Sequence, residues 1–179
     1  MSIAELSTSR SWLDEVLIRP LIPSDLPALE WEGAYTHFRR VYARALDRAE
    51  CGQAALWVAQ GELGALLGQI FVLLNSEFDR RLADGRRRAF IHSFRVRPEF
   101  RRRGLGTRLL AAAESDLMRR GFNWAVLNVA RDSLEAIRLY ERRGYRRLAA
   151  VSGVWTYEDH LGLPREVREP GWRMGKSLS

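Results

Sequence analysis

The stretch richest in chemical possibility is Phe94-Arg-Val-Arg-Pro-Glu-Phe-Arg-Arg-Arg-Gly-Leu-Gly-Thr-Arg-Leu-Leu110, where an apolar run gives way to arginines and glycines and then to a helical pattern. The first turn of a helix leaves backbone N–H groups unpaired and carries a partial positive charge, so it attracts phosphate. Gly104 and Gly106 let the backbone approach a ligand closely or take a positive φ without a Cβ clash. Arg101, Arg102 and Arg103 supply guanidinium forks that pair with phosphate oxygens. An ordinary strand-to-helix turn with a solvated basic surface would have the same composition, and the local pattern alone leaves both readings open. Other glycine-rich phosphate loops fit poorly. No G-x-x-x-x-G-K-[ST] occurs, and Leu109 stands where G-x-G-x-x-G needs its third glycine.

The elements that must position this loop follow from hydrophobic periodicity. Val16–Leu21 reads as a first strand, and Pro23-Ser24-Asp25 opens a short helix to Trp31. From Thr36, an expected N-cap, Phe38, Val41, Tyr42, Ala45 and Ala49 share one helical face, which Gly52 closes. Strands are expected over 54–60, 66–74 and 89–96, with a charged loop at 75–88. Leu105, Leu109, Ala112, Ala113 and Leu117 mark a second helix ending near Gly121. Trp124–Val129 is a short apolar strand. Asp132 or Ser133 caps a third helix that turns Ala136, Ile137 and Tyr140 inward and ends at Gly144. Residues 145–157 and 172–178 supply the last strands. This order predicts an α/β protein with a mixed sheet and helices on both faces.

The chain of 179 residues is the usual size of one domain, expected over 15–179 after a loose lead-in at 1–14. The single cysteine, Cys51, forbids an intramolecular disulfide and any Cys-based metal cage, and reads as a small buried hydrophobe in a cytoplasmic protein. No metal is expected. No basic-then-apolar leader is visible and no apolar run is long enough to span a bilayer, so no membrane association is expected. The net charge is +7, and every basic residue except Lys176 is arginine, a bias that a GC-rich coding sequence explains. A basic surface suits nucleic acid, but the charge is interspersed with 22 acidic residues and forms no long tail, so no nucleic-acid partner is expected.

Arg101-x-x-Gly104-x-Gly106, preceded by Val96-x-Pro98-Glu99-Phe100, resembles the [Q/R]-x-x-G-x-[G/A] signature of the GNAT superfamily of acyl-CoA-dependent N-acetyltransferases. Ala136-x-x-Leu139-Tyr140-Glu141-Arg142-Arg143-Gly144-Tyr145 is similar to that family's second block, A-x-x-L-Y-x-x-x-G-[FY], and follows in the family's order. The resemblance covers about residues 89–147. It implies the GNAT N-acyltransferase fold, a mixed central sheet of about seven strands splayed between the fourth and fifth. It also implies acetyl-CoA as co-substrate and an amine acceptor: a small amine, an amino-acid-like metabolite, a drug, or a protein N-terminus or lysine.

Carried onto these residues, the resemblance gives Phe94, Arg95 and Val96 a backbone role toward pantetheine and thioester, one strand N–H polarising the carbonyl. The loop Arg101, Arg102, Arg103, Gly104, Leu105, Gly106 and Thr107 would hold pyrophosphate, Thr107 adding its hydroxyl. Ser133 stands where the family often places an asparagine against the cofactor. Tyr140 matches the tyrosine that acts as acid for the leaving thiolate. His92 stands near where several members place a glutamate, and is the candidate base, beside the alternatives of a structural strand histidine or a water chain. Trp31, Glu32, Tyr35, His37 and Phe38 would line the acceptor side. Glu30 and Glu32 could recognise a cationic amine or merely solvate a helix end. The segment 155–171 is expected to be a long connection acting as a lid or meeting a second subunit in a homodimer. An inactive acyl-CoA-binding sensor is the principal alternative.

Overall fold

Burial alternates along the strands and sorts their side chains between two helical layers. The computed structural model describes residues 11–179. In β2 (Ala54–Gln60), Ala54, Leu56 and Val58 enter one core and Ala55 and Ala59 the other, the two-residue period of a pleated strand. The first core gathers under α1 (Arg39–Glu50), with Leu29, Phe38, Tyr42 and Phe71. The second gathers under α2 (Leu105–Arg119) and α3 (Leu134–Arg142), with Leu105, Leu109, Leu117, Ile137, Tyr140 and Tyr145.

The remaining strands are β1 (Leu17–Pro20), β3 (Leu66–Leu73), β4 (Arg88–Val96), β5 (Trp124–Ala130), β6 (Arg146–Val151), β7 (Val154–Glu158), β8 (Pro164–Arg168) and β9 (Gly171–Ser177). Seven of them form one sheet in the order β1-β2-β3-β4-β5-β9-β6. Its pairs are antiparallel except β4 with β5, which α2 links as a crossover. The seven-stranded mixed sheet with helices on both faces is as expected.

That parallel pair is short. Arg88 to Ile91 face Trp124 to Leu127, and no further residues pair. β4 nevertheless stays on β3 as far as Val96, and β5 stays on β9 as far as Ala130. The sheet therefore splays between its fourth and fifth strands from His92 onward. A bulge marks the same point. Gln69 faces Arg95 and Phe71 faces His92, so Ser93 and Phe94 together stand opposite Ile70 alone. Ser93 takes φ +49°, and its carbonyl accepts from the buried Gln69 Nε2 at 3.2 Å.

Four local expectations differ from the structure. The segment after Pro23 is a 3-10 helix, Pro23–Glu30, with Pro27 inside it, where a proline ring disfavours regular α-helix. α1 starts at Arg39 after a 3-10 turn at Thr36–Phe38, not at Thr36. Cys51 is exposed, since it follows the last turn of α1 rather than facing the core. The supposed long connection at 155–171 is largely a hairpin, in which β7 pairs β8 from Val154–Arg168 to Glu158–Pro164. Its tip is held by the buried Asp159, whose carboxylate accepts from the amides of Leu161 and Leu163 and from Arg165 Nε. The alternating charges of Arg165-Glu-Val-Arg168 hid a strand that buries little. Of the lead-in at 1–14, residues 1–10 lie outside the described residues, and Trp12–Glu15 is a 3-10 turn whose Trp12 and Leu13 pack on the second core.

One buried carboxylate ties the second layer together. Glu114 on α2 is 4% exposed, and its Oε2 accepts from Arg143 Nη2 after α3 and from Lys176 Nζ on β9, each at 3.0 Å. Removing one partner of a buried ionic group leaves the others unpaired at ~3–5 kcal/mol, less where they reach water. Arg143 and Lys176 keep 32% and 21% of their side-chain surface, so Glu114→Ala should cost about 2–3 kcal/mol in denaturant unfolding. A loss below about 0.5 kcal/mol would show that the cluster does not hold the layer.

Candidate functional site

The splay opens into a cleft of about 940 Å3 between the exposed end of β4, the loop before α2 and the first turns of α3. Phe94, Arg95 and Val96 form one wall; Arg101, Arg102, Gly104, Gly106 and Thr107 form the end; Ser133 and Tyr140 stand opposite. Arg103, Leu105 and His92 do not border it.

The loop presents unused donors. None of the amides from Arg102 to Thr107 donates to a backbone carbonyl, and the first helical bond at this end runs from Arg108 to Gly104. Arg102 at φ +58° and Gly104 at φ +88° put the turn in the left-handed region, which only glycine enters freely. A Cβ on Gly106 would sit 3.5–3.8 Å from Leu139, Phe94 and Val96, so glycine here keeps open the space between β4 and α3.

The arginines divide. Arg101 donates from Nε to the Val96 carbonyl at 2.8 Å, which fixes the loop against β4. Arg102 pairs with Glu135 across the mouth of the cleft. Arg103 leaves the site and stacks on Trp12, its guanidinium carbon 4.1 Å from the ring centroid. Leu105 is a fully buried core residue and can offer the site only its amide. Arg138 and Arg142 on α3 also border the cleft and were missed, although their i, i+4 spacing beside Tyr140 was a readable signal. Ser133 occupies the N-cap position of α3, but its hydroxyl makes no cap bond.

Tyr140 is 7% exposed, packed against Phe94 and Tyr145 with centroids 6.2 and 5.8 Å away. Burial pushes its phenol above the ordinary range, so it keeps its proton through neutral pH. That is the state from which a proton donor must start.

His92 lies on the other face of the sheet, toward α1. Its ring stacks on Phe90 at 5.9 Å and meets the edge of Phe71 at 5.9 Å, with Nδ1 3.1 Å from the Ser93 hydroxyl oxygen. Burial, aided by the positive charges of Arg48 and Arg95, pushes its imidazole down to about 4. It is neutral at pH 7 but a weak base.

The remaining acceptor candidates sit beyond the splay on that same face. Tyr35, His37 and Phe38 cluster with Trp155 and Tyr157 of the hairpin, and Tyr35 also meets Trp31. Glu30 and Glu32 are already neutralised, Glu30 by Arg39 at 2.8 Å and Glu32 by Arg97 at 2.7 Å.

The His92 shift carries a pH signature. Its native value lies below the ordinary 6.5, so between the two the unfolded chain binds more protons, and stability falls as pH drops from 6.5 to about 4. His92→Gln, which cannot take up that proton, should lose about 1–3 kcal/mol less than wild type between pH 6.5 and 4.5 in denaturant unfolding. Parallel stability curves would contradict the shift.

Comparison with known proteins places this geometry. A family model described as the acetyltransferase (GNAT) family matches residues 22–145, while no curated protein matches the chain. Ard1 from Thermoplasma volcanium superposes with a TM-score of 0.70 at 21% identity, covering 92% of this chain and 99% of that one. The ribosomal-protein-S18-alanine N-acetyltransferase from Escherichia coli gives 0.67 at 20% identity, covering 92% and 94%. A spermidine N-acetyltransferase from Vibrio cholerae, solved with CoA and spermine, gives 0.66 at 16%, covering 92% and 96%. The structural likenesses establish the fold, and the family match spans most of the chain, from before α1 to just past α3. The chain belongs to the GNAT family of acetyltransferases.

Proposed function

We propose that this acyltransferase moves the acetyl group of acetyl-CoA directly onto the nitrogen of a primary amine. One observation carries the reading: a single cleft is bordered at once by an amide-rich helix start, by the splayed end of β4 and by a protonated tyrosine. The donors fit a pyrophosphate on the amides of 102–107, with Arg101, Arg138 and Arg142 adding charge around it. The end of β4 offers backbone groups to the amides of a pantetheine arm, and an N–H there polarises the thioester carbonyl. Solved relatives named for a protein alanine and for spermidine, one of them holding CoA and spermine, support amine acylation as the reaction class.

In the transfer, the amine lone pair forms the new C–N bond to the carbonyl carbon as the C–S bond breaks, and the sulfur takes the electron pair. Tyr140 gives the departing sulfur a proton or a strong hydrogen bond. The acceptor must first lose a proton from its ammonium. His92 is packed against Phe71 and Phe90 and binds protons weakly, so water leading out of the splay serves better as that base.

The test is an acetyl-CoA-dependent screen over amines and peptides, reading released thiol and product mass. Tyr140→Phe should lower kcat on any accepted amine by about 10²–10³-fold with acetyl-CoA binding retained. Unchanged turnover would remove Tyr140 from the chemistry. Acetyl-CoA binding with no amine acetylated would instead identify a ligand-binding protein.

A further inference from the structure

The side chain of Arg95 is not used as its neighbours are. Its residue borders the cleft, but the bulge at Ser93 and Phe94 turns its side chain onto the α1 face. There the guanidinium lies over Tyr35 at 4.4 Å and Phe38 at 5.1 Å, and Nη1 donates to the Tyr42 hydroxyl at 3.0 Å. This is its only hydrogen bond among the described residues, and it has no carboxylate partner.

Nearby arginines are consumed by acids. Arg97, two residues on, holds Glu32 with both terminal nitrogens at 2.7 and 2.9 Å. Arg39 holds Glu30 through Nε and Nη2, and Arg165 donates from Nε to Asp159. Arg95 is partly buried among aromatic rings, where a cation loses water and gains only ~1–2 kcal/mol from each π-face. Among the described residues most of its five N–H donors are unpaired, and a partly desolvated guanidinium of that kind suits an anion. That anion is not the phosphate of CoA: the amide-rich loop starts α2 on the opposite face of the sheet.

We infer that Arg95 is the specificity determinant for the acceptor, and that the acceptor is a primary amine that also bears a carboxylate, seated between the Tyr35 and Phe38 rings and the open end of β4. The inference rests on the proposed amine acetylation and narrows it. Polyamines, which carry only positive charge, are disfavoured: Glu30 and Glu32, the acids that would receive them, are occupied, and Arg95 repels them.

Matched acceptor pairs test this, each an α-amino acid and its carboxamide, run beside spermidine with acetyl-CoA saturating. Wild type should prefer the carboxylate member by about ten- to a hundred-fold in kcat/KM, the preference shrinking as salt rises. Arg95→Gln should collapse the ratio toward one, and Arg95→Lys should keep part of it, because Lys retains the charge without the planar fork. The ratio is internal to each variant, so a loss of folded protein does not mimic the result, and the wild-type preference stands as a test even if a variant does not fold. Preference for the carboxamide or spermidine, or an unchanged ratio in Arg95→Gln, overturns the inference while leaving amine acetylation intact. Acetyl-CoA bound with no amine acetylated overturns both.

Discussion

The architecture turns on a strand pair that stops early. β4 and β5 are joined over four residues each and then part, while each keeps its outer neighbour to the end. Backbone polar groups in a sheet interior must be paired, so the inner edge of β4 from His92 to Val96 demands a partner that β5 does not supply. On the proposed reading the amide-bearing arm of CoA takes that place as a substitute strand. The bulge at Ser93 belongs to the same constraint. Two residues opposite one let Phe94 and Val96 face α2 while Arg95 faces α1, so one short stretch of β4 presents side chains to both layers.

Charge is allotted with similar economy. The chain is rich in arginine, yet most arginines near the splay serve architecture: Arg97 ties β4 to Glu32, Arg101 ties the loop to β4, and Arg103 covers Trp12. Only after these are set aside do the functional candidates stand out, Arg138 and Arg142 beside the amide-rich loop and Arg95 on the other face. Composition alone made the surface look generically basic. Placement separates the arginines beside the amide-rich loop from an α1 face on which Glu30 and Glu32 are paired with Arg39 and Arg97.

Much of this was legible in the sequence. The 3.6 period through Leu105, Leu109 and Leu117 and the alternation through Ala54 to Gln60 fixed the helices and strands that carry the cleft, and the glycines at 104 and 106 marked its end. The two motif blocks singled out Tyr140 and the loop, which border one cleft. What stayed hidden depended on tertiary packing. The bulge has no local signature, because Ser93 can take φ +49° only where Gln69 and the sheet hold it. The hairpin of β7 and β8 lacked an apolar alternation because it lies on α1 rather than in the sheet, anchored by Asp159. The ring environment that depresses His92 joins Phe71 from β3 to Phe90 from β4, and spacing along one strand does not show it.

On the proposed reading, acetyl-CoA completes the hydrogen bonding that the parting of β4 and β5 leaves open. Amide hydrogen exchange with and without acetyl-CoA measures this directly. Acetyl-CoA should slow exchange at the amides of His92–Val96 and of the 102–107 loop, with α1 and the β7–β8 hairpin little changed. Protection centred on α1 and the hairpin, with the end of β4 exchanging as before, would contradict it.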